Sequence, residues 1–406
     1  MAVFLRPWVS MDHHQRFLRL TELLLAARQW WQFVPFEQLS LPWLASAPAL
    51  CSWLGEQSDE TLTSLRQDAP ALLALLAPHL TMVSELSSLA SLEISEGREI
   101  RCPSRLDTGV PGRKWQQITA FASALQAHDL PWLEWCAGKG HLGRVLAAAS
   151  GREVVSLEWQ QRLCDEGKVL ASKSGQPQRF VQGDALTADA ASLLAGEQHA
   201  VALHACGELH LALMRHGAER RTRSLSLSPC CYHLIPEASY QPQSQAAQAS
   251  GLSLSKMDLK LPLQETVTAP PQVRRRRRLE LSYRLGFDSL QRSQGGGGYL
   301  PVPTVPKAVL DLGFEAFCHW ACERKGLGLD LTQAGDFLEK GEARVSLVEQ
   351  METVRQLFRR PLEIWLALDR VLFLEEQGYQ VSLTEFCERR ATPRNLLIQA
   401  TLAGAI

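Results

Sequence analysis

The chain has 406 residues, of which 46% are hydrophobic and 21% charged, with a formal net charge of −1. This length predicts two or three packed units, and the near-neutral charge argues against a protein that binds nucleic acid tightly without specificity. No run approaches the ~18 uncharged apolar residues of a membrane helix, and the first residues, MAVFLRPWVSMDHH, lack the apolar core of a signal peptide. We therefore expect a cytoplasmic globular protein without membrane contact. Ten scattered cysteines favour reduced thiols over a disulfide framework.

The first part of the chain is predicted to be helical. Residues 12–92 are rich in leucine and alanine at helical spacing, as in FLRLTELLLAARQWW, and are interrupted by prolines. We assign residues 1–98 to an N-terminal helical domain whose tryptophans and leucines form its core. A basic, turn-rich connector, 101–114, follows it.

Short apolar runs then alternate with helical segments, which is typical of a parallel sheet with helices on both faces. Five such units fill residues 131–233, and their apolar runs are PWLEWC, EVVSLEW, RFVQGD, AVALHACG and TRSLSLSPCCYH. Residues 99–235 are therefore the first part of a doubly wound α/β domain, whose ligands bind beyond the carboxyl ends of the strands.

Residues 236–358 do not follow this alternation. They contain a possible strand pair, LSLSKMDLKL and RRLELSYRLGF, a GGGG hinge, and helices near 311–324 and 343–358. From residue 360, a strong helix leads into the strand candidates YQVSLTEFCER and NLLIQATLA, which would extend the sheet to seven strands. We therefore predict an insertion over 236–358 and a closing segment of the Rossmann-like domain over 359–406.

The turn after the first strand, LEWCAGKGHLG, contains Gly138, Gly140 and Gly143 in a G-x-G-x-x-G pattern. Glycines at a strand-to-helix turn let the backbone approach a ligand closely. Glu158, at the end of the second strand, supplies the acid that a dinucleotide-binding fold places about 20 residues later. The cofactor of this turn could therefore be a nicotinamide dinucleotide or another cofactor that contains adenosine.

Two further acids favour one of these cofactors. Glu134 precedes the turn and Asp184 ends the third strand, so three acids follow three successive strands. This set suits one adenosine with a charged amino-acid tail, and it resembles the class I S-adenosylmethionine methyltransferases over residues 131–233 and 360–402. The resemblance implies that Glu158 binds the ribose and Asp184 the adenine amino group. It assigns the methionine portion to Glu134 and to the turn that contains Ala137, Gly138 and Gly140. As an alternative, Glu158 and Asp184 only cap helices.

A closer resemblance rests on LHACGELH (203–210) and SPCCYH (228–233), with GRKWQQI (112–118) and LDRVLFLEEQGY…TPRN as further familial segments. These segments are similar to a methyltransferase family that includes the eukaryotic tRNA acceptor-stem ribose 2′-O-methyltransferase, the methyltransferase-like proteins and the glutathione S-transferase C-terminal-domain-containing protein. The family implies a methyltransferase and leaves its substrate open.

The fourth and fifth strands are predicted to end beside the transferred methyl group. The residues expected in this cleft are His204, Cys206, Ser228, Cys230, Cys231, Tyr232 and His233. His233 or His204 could act as the base that takes a proton from a ribose hydroxyl, or Cys230 or Cys231 could attack a pyrimidine as a thiolate. As a third alternative, Cys206, Cys230, Cys231 and His233 could bind zinc. This is disfavoured because the spacing contains no C-x2-C and neighbouring cysteine side chains should diverge, and no metal is predicted. The cysteines could also be small buried residues that only line the pocket.

An arginine run in the predicted insertion suggests the substrate. VRRRRRLELSYRLGF, read as a strand, would place Arg274, Arg276 and Arg278 on one face to contact successive phosphates, with Arg113 and Lys114 of the connector on the same rim. A charged edge strand that only resists aggregation is the alternative. We therefore predict methylation of tRNA or rRNA. Two other functions stay open, namely protein methylation and a catalytically idle cofactor-binding partner in RNA or ribosome assembly.

Overall fold

The computed structural model describes residues 11–126, 129–264 and 271–402. They divide into two compact units. The first contains the described parts of Met1–Leu23, Ser88–Leu263 and Pro361–Ile406, and the second those of Leu24–Ser87 and Gln264–Arg360. We predicted an N-terminal domain over residues 1–98 and a separate insertion over 236–358. The structure groups most of both segments together in the second unit. Buried polar contacts within that unit join them, for example Arg344 Nη2, which donates to the Phe36 carbonyl oxygen at 2.7 Å.

The first unit contains a seven-stranded sheet in the order β3-β2-β1-β4-β5-β7-β6. Its strands are β1 Trp132–Trp135, β2 Val154–Glu158, β3 Gln178–Gln182, β4 His199–Cys206, β5 Ser224–Cys230, β6 Tyr379–Glu385 and β7 Leu396–Leu402. The first five strands are parallel, and β7 is antiparallel to β5 and β6. The predicted α/β class, the five parallel units and the closing antiparallel pair are confirmed.

The described residues of the two units form sixteen α-helices. They are α1 His13–Ala26, α2 Arg28–Trp31, α3 Pro48–Gly55, α4 Asp59–Gln67, α5 Ala69–Leu76, α6 Met82–Leu89, α7 Gly112–Ala124, α8 His141–Ser150, α9 Gln161–Ser174, α10 Ala188–Ala191, α11 Glu208–Glu219, α12 Gln245–Ala249, α13 Pro271–Ser293, α14 Lys307–Asp311, α15 Phe314–Lys325 and α16 Asp336–Glu376. Short 3₁₀ helices cover Pro35–Glu37 and Asp258–Leu263. Among the described residues, no helix is long and apolar enough to cross a membrane.

The core of the first unit lies against the sheet. Ile118 and Phe121 of α7 and Val145 of α8 pack with Trp132 of β1 in one buried cluster. Strands β1, β2 and β5 are wholly buried because helices cover them, whereas β3 and β6 at the two edges of the sheet are partly exposed, which explains why apolar and small residues predominate in the three buried strands. This packing fixes the strand ends on which the candidate site is built.

The predicted basic strand is wrong, because residues 271–293 form the helix α13. The segment alternates apolar and polar residues, yet arginine, leucine and glutamate are strong helix formers. Tyr283, Phe287 and Leu290, at helical spacing, bury one face of α13 in the core of the second unit. Its predicted strand partner is also absent, since residues 258–263 form a 3₁₀ helix. Five consecutive helical arginines spread around the helix and do not share one face.

The closing helix is longer than predicted. It begins at Asp336 and passes through Pro361, where the sequence suggested a helix boundary. Met351, Phe358, Leu362 and Trp365 are fully buried at helical spacing on both sides of the proline. The helical burial pattern therefore continues through this position, although proline removes one backbone donor.

Candidate active site

The turn after β1 connects the ends of β1 and β2. The Ala137 N–H donates to the Leu157 carbonyl oxygen at 2.9 Å, and the Gly138 N–H donates to Glu158 Oε2 at 2.9 Å. Gly138 and Gly140 have φ angles of 59° and 64°, a region that glycine enters at little cost. Gly140 is also the N-cap of α8, so the turn leads directly into a helix N-terminus.

The three glycines of the turn have different surroundings. A Cβ atom on Gly140 would lie 2.5 Å from Phe180 Cζ, and one on Gly143 would lie 2.5 Å from Glu134 Oε2. A Cβ atom on Gly138 would have no atom within 4 Å. Gly140 and Gly143 are therefore required for packing onto the sheet, whereas Gly138 borders open space that a ligand can enter.

Two of the three predicted acids lie at strand ends with part of their carboxylate occupied. Glu158 is 9% exposed, and its Oε1 accepts from the Gln160 N–H at 2.9 Å. It joins β2 to the turn and does not cap α9, whose N-cap is Gln160. Asp184 is exposed, and its Oδ1 accepts from the Leu186 N–H at 2.9 Å.

Glu134 is the most buried acid of the turn, with 4% exposure. Ser156 Oγ donates to its Oε2 at 2.7 Å, and Gln178 Nε2 lies 3.4 Å from the same oxygen. Burial raises the pKa of Glu134 to about 7, although hydrogen bonds from Ser156 and Gly143 oppose the shift. Glu134 therefore holds the turn against β2 and β3 and titrates near neutral pH.

This titration predicts a pH-dependent stability. The folded pKa is above the unfolded one, so folding gains stability from the protonated carboxyl at low pH and loses it as the pH rises through about 7. Relative to Glu134→Gln, the wild type should lose roughly 2–3 kcal/mol of unfolding free energy between pH 5 and 8, as measured by urea unfolding. The exposed Glu153→Gln variant should follow the wild type across this range. An equal pH response in wild type and Glu134→Gln would contradict the assigned titration.

Four motif segments of the sequence meet at the ends of β4 and β5. The amide of Gln117, from GRKWQQI, donates to the Ala391 carbonyl oxygen at 3.1 Å, and its Oε1 lies 3.2 Å from His204 Nε2. Ser228 Oγ, from SPCCYH, donates to the carbonyl oxygen of Arg394 in TPRN at 3.3 Å. The segments that carry the family resemblance thus form one site.

Gln117 and Arg394 were missed as site residues, although both lie in segments singled out as familial. The amide nitrogen of Gln117 donates to a carbonyl oxygen, so its Oε1 must accept from His204 Nε2. His204 Nδ1 is then the acceptor nitrogen. Burial also lowers the pKa of His204, which keeps the ring neutral.

Three strand ends carry a non-glycine residue with positive φ. These residues are Cys136 after β1 (57°), His204 within β4 (64°) and Cys231 after β5 (47°). Such conformations cost on the order of 1–3 kcal/mol each and cluster at functional sites. Their position at three neighbouring strand ends marks this edge of the sheet as the candidate active site.

Three sulfur atoms converge at the ends of β4 and β5. Cys206 Sγ lies 3.4 Å from Cys230 Sγ, and the Sγ atoms of Cys206, Cys230 and Cys231 all lie within 4.8 Å of one another. The expectation that Cys230 and Cys231 diverge is wrong, because the positive φ of Cys231 turns its side chain out of the strand alternation. Hydrogen bonds from the Cys206 and Cys230 thiols hold the pKa of Cys231 well below its usual range.

Three predicted residues of this cleft differ in how far they are exposed. Cys230 is 3% exposed and Tyr232 is 1% exposed. His233 is half-buried, and its Nδ1 is buried without a hydrogen-bond partner among the described residues. Cys231 and His233, rather than Cys230, are therefore the side chains of SPCCYH that a substrate can reach.

A buried network supports these strand ends from behind. His210 Nδ1 donates to the carbonyl oxygen of Ala205 at 3.0 Å, between His204 and Cys206, and His210 Nε2 accepts from Arg370 Nε at 2.8 Å. Arg370 also donates to the Tyr240 hydroxyl at 3.0 Å. Burial, followed by the charge of Arg370, keeps the pKa of His210 well below its usual range, so His210 is neutral.

The predicted substrate-binding residues are mostly exposed. Arg113 Nε donates to the Ala391 carbonyl oxygen at 3.0 Å, and Lys114 lies exposed beside it on α7. Arg274 and Arg278 are exposed and Arg276 is half-buried, all on α13 in the second unit. Arg278 forms an ion pair of 2.6 Å with Asp59.

Residues 113–238 match a family model described as a methyltransferase domain. Among solved structures, the chain is similar to magnesium protoporphyrin IX methyltransferase (ChlM) from Synechocystis PCC 6803, with 13% identity, 68% of this chain and 74% of that chain covered, and a TM-score of 0.27. TrmN from Thermus thermophilus is 15% identical, with 34% of this chain and 46% of that chain covered and a TM-score of 0.26. A SAM-dependent methyltransferase from Aquifex aeolicus is 14% identical, with 36% of this chain and 71% of that chain covered and a TM-score of 0.23. The alignment thus spans less than half of TrmN, and none of these similarities indicates a substrate.

The match over residues 113–238, together with the seven-stranded sheet, identifies a methyltransferase domain in this part of the chain, with S-adenosylmethionine as its cofactor. The turn fits this cofactor on two observations. Gly138 borders open space at positive φ, and Glu158 presents a carboxylate next to it. The nucleoside requires a backbone that it can approach closely and an acid that accepts hydrogen bonds from its ribose hydroxyls.

Proposed function

We propose that this S-adenosylmethionine-dependent methyltransferase methylates RNA, either a tRNA or an rRNA, at the ends of β4 and β5. The observation that carries the proposal is the convergence of GRKWQQI, LHACGELH, SPCCYH and TPRN around His204. Through these same segments the sequence resembles the family that includes a tRNA ribose methyltransferase. Because the segments that carry the resemblance contact one another, they support an acceptor like that of the RNA-modifying member of the family.

The cofactor-binding roles in this proposal follow the strand ends. Glu158 accepts from the ribose hydroxyls and Asp184 from the adenine amino group, because both acids keep acceptor capacity beside their backbone contacts. The turn from Ala137 to Gly140 lies along the methionine portion, with Glu134 holding it in place and His204 at its far side. When bound, S-adenosylmethionine supplies an electrophilic methyl group.

We assign catalysis to His204, Cys231 and His233; Cys230, the other predicted catalytic cysteine, is buried and serves to position the sulfur of Cys206 beside it. His204 presents Nδ1 as an acceptor because Gln117 occupies its Nε2. His233 has a buried Nδ1 without a hydrogen-bond partner among the described residues. Either nitrogen can accept a proton from a hydroxyl or amine that is being methylated. The cysteines place sulfur atoms next to these two bases.

RNA is favoured as the substrate by exposed cationic side chains. Arg113 and Lys114 lie at the start of α7, the helix that also carries Gln117. In the second unit, Arg274 and Arg278 are exposed on α13. Cationic side chains of this kind neutralise phosphates, so binding should weaken steeply as the salt concentration rises. An acidic protein substrate would share this property and must be tested directly.

Methyl transfer from labelled S-adenosylmethionine tests the proposal. The purified protein is incubated with total RNA and, separately, with total protein from cells that lack its gene. We expect label in the RNA and none in the protein, followed by mass spectrometry of the modified nucleoside. Label in protein alone would overturn the RNA assignment. Label in neither fraction would favour a catalytically idle cofactor-binding partner.

A variant of Glu158 tests the cofactor site separately from the substrate. Glu158→Ala leaves the Gly138 N–H unpaired and removes the ribose acceptor, so S-adenosylmethionine should bind more weakly by on the order of 1–3 kcal/mol. Isothermal titration calorimetry measures this as about a 5- to 150-fold higher Kd. Glu153→Ala, just before the opposite end of β2, is the matched control and should bind normally. An unchanged Kd in Glu158→Ala would contradict this site.

A further inference from the structure

We propose that Cys206, Cys230 and Cys231 bind one thiophilic metal ion, with Zn²⁺ as the expected occupant and one coordination position left open. Among the described residues, these three form a group of ligating side chains whose donor atoms converge. The inference does not depend on RNA being the substrate, because it concerns only the sulfur atoms at the ends of β4 and β5.

The sulfur geometry fits a tetrahedral ion. A Zn–S bond is about 2.3 Å, so two sulfur ligands of one tetrahedral ion lie about 3.8 Å apart. Cys206 Sγ and Cys230 Sγ are 3.4 Å apart, and the full set of three lies within 4.8 Å. Small movements of the side chains would bring all three sulfurs to the distances that zinc requires.

The backbone builds this convergence at two irregular positions. Cys206 and Cys230 are register partners on adjacent strands, and a bulge between Leu203 and Cys206 interrupts that register. The bulge contains His204 at positive φ, and Cys231 leaves β5 at positive φ. Together these two turns orient side chains that regular strands would have directed to opposite faces.

The charges around the cluster suit a zinc–thiolate centre. Three thiolates and one Zn²⁺ carry a net charge of −1, and Arg394 interacts electrostatically with both Cys206 and Cys231. Arg394 can therefore balance the remaining charge in a partly buried site. By contrast, Cys318 and Cys322 on α15 are buried four residues apart, and within the part of the chain that the structure describes they belong to no convergent group of three.

An open position is what separates catalytic zinc sites from structural ones. Three protein ligands leave the fourth position for a water molecule or an acceptor atom, and zinc lowers the pKa of a group bound there. His233, two residues after Cys231, has a buried Nδ1 without a hydrogen-bond partner among the described residues. It can accept a hydrogen bond from the group that occupies this position.

Metal binding is tested on the full-length protein with Zn²⁺ and Co²⁺. The protein is stripped with a chelator and titrated with Zn²⁺, and metal content is measured by mass spectrometry. We expect one equivalent of Zn²⁺, and a Co²⁺ form with sulfur-to-metal charge-transfer absorption. Cys206→Ser and Cys231→Ser should each weaken binding at least tenfold. Cys51→Ser, on α3 in the second unit, is the matched control and should bind one equivalent.

Three outcomes would overturn the inference. They are a wild type that binds far less than one equivalent, binding that survives Cys231→Ser, and a covalent adduct between Cys231 and RNA that contains 5-fluoropyrimidines. The last would make Cys231 a nucleophile. Protection of the wild-type thiols from alkylation by Zn²⁺ gives a measurement that needs no variant, should the serine variants fail to fold.

The metal inference and the proposed function fail separately. If Zn²⁺ binds at one equivalent but no RNA is methylated, the RNA assignment is wrong and the metal site stands. If RNA is methylated by protein that binds no metal, the metal site is wrong and the RNA assignment stands. Metal content and methyl transfer are therefore measured on the same preparation.

Discussion

Arg370→Leu is expected to lower the free energy of unfolding by about 3–5 kcal/mol, because it removes one partner of a buried ionic network. Arg370 is 1% exposed and donates to His210 Nε2, to the Tyr240 hydroxyl and to the Leu366 carbonyl oxygen. The Tyr240 hydroxyl in turn donates to Asp369 Oδ2 at 2.5 Å. Without Arg370, the buried Asp369 carboxylate would lose the positive charge to which the Tyr240 hydroxyl connects it.

Urea unfolding followed by circular dichroism measures this loss. Arg390→Leu is the control, because Arg390 is exposed and forms an ion pair with the nearby, exposed Glu388, and it should change stability by less than about 1 kcal/mol. Arg370→Lys should rescue little, since an ammonium group cannot reproduce the planar set of donors. Equal stability of Arg370→Leu and Arg390→Leu would show that the network contributes little.

The network also links the closing helix to the site. His210 Nδ1 donates to the carbonyl oxygen of Ala205, which lies between His204 and Cys206. The ring of Tyr232, between Cys231 and His233, lies 5.0 Å from the Arg370 guanidinium. Arg370 therefore contacts the supports of both strand ends at once. The helix α16, which leads into the last two strands of the sheet, thereby also positions the residues proposed for catalysis.

The sheet was predictable from the sequence because its signals are local. Each buried parallel strand is a short apolar run bounded by a helix or a turn, so EVVSLEW and TRSLSLSPCCYH could be recognised without knowledge of their partners. The acids and glycines of the cofactor turn follow such runs directly. Because the strands are parallel, these acids and glycines lie at the same edge of the sheet, and this can be predicted from the order of the elements alone.

The basic segment was mispredicted because two periodicities overlap in it. RRLELSYRLGF has apolar residues at alternate positions, as a strand would. Its Tyr283 and Phe287 also lie at helical spacing with Leu290, which follows the segment. Only the second set is buried together, in the core of the second unit. Tertiary packing decides such a case, and no local pattern shows which face will find a partner.

The sulfur cluster could not be predicted for a different reason. Its convergence depends on the φ angle of Cys231, and cysteine gives no sequence signal for the left-handed region, unlike glycine. Gln117 was hidden by its distance along the chain, since its partner His204 lies 87 residues later. Contacts between distant segments require the fold before they can be assigned.

Gly140→Ala and Gly138→Ala form a matched pair. The first is expected mainly to lower the free energy of unfolding, and the second mainly to weaken cofactor binding. Their φ angles, 64° and 59°, are nearly equal, so the left-handed strain of about 1–2 kcal/mol is common to both. At Gly140 the added methyl group would also collide with Gln178 and Phe180, which adds about 1–3 kcal/mol of overpacking. Gly140→Ala should therefore lose about 2–5 kcal/mol of stability.

At Gly138 the methyl group would enter open space, so Gly138→Ala should lose only the common strain energy. The same methyl group would occupy the path by which the backbone approaches the cofactor, and we expect Kd for S-adenosylmethionine to rise on the order of tenfold or more. Urea unfolding and calorimetry on both variants separate these effects. If Gly138→Ala binds the cofactor as tightly as the wild type, the open space beside Gly138 is not where the cofactor lies.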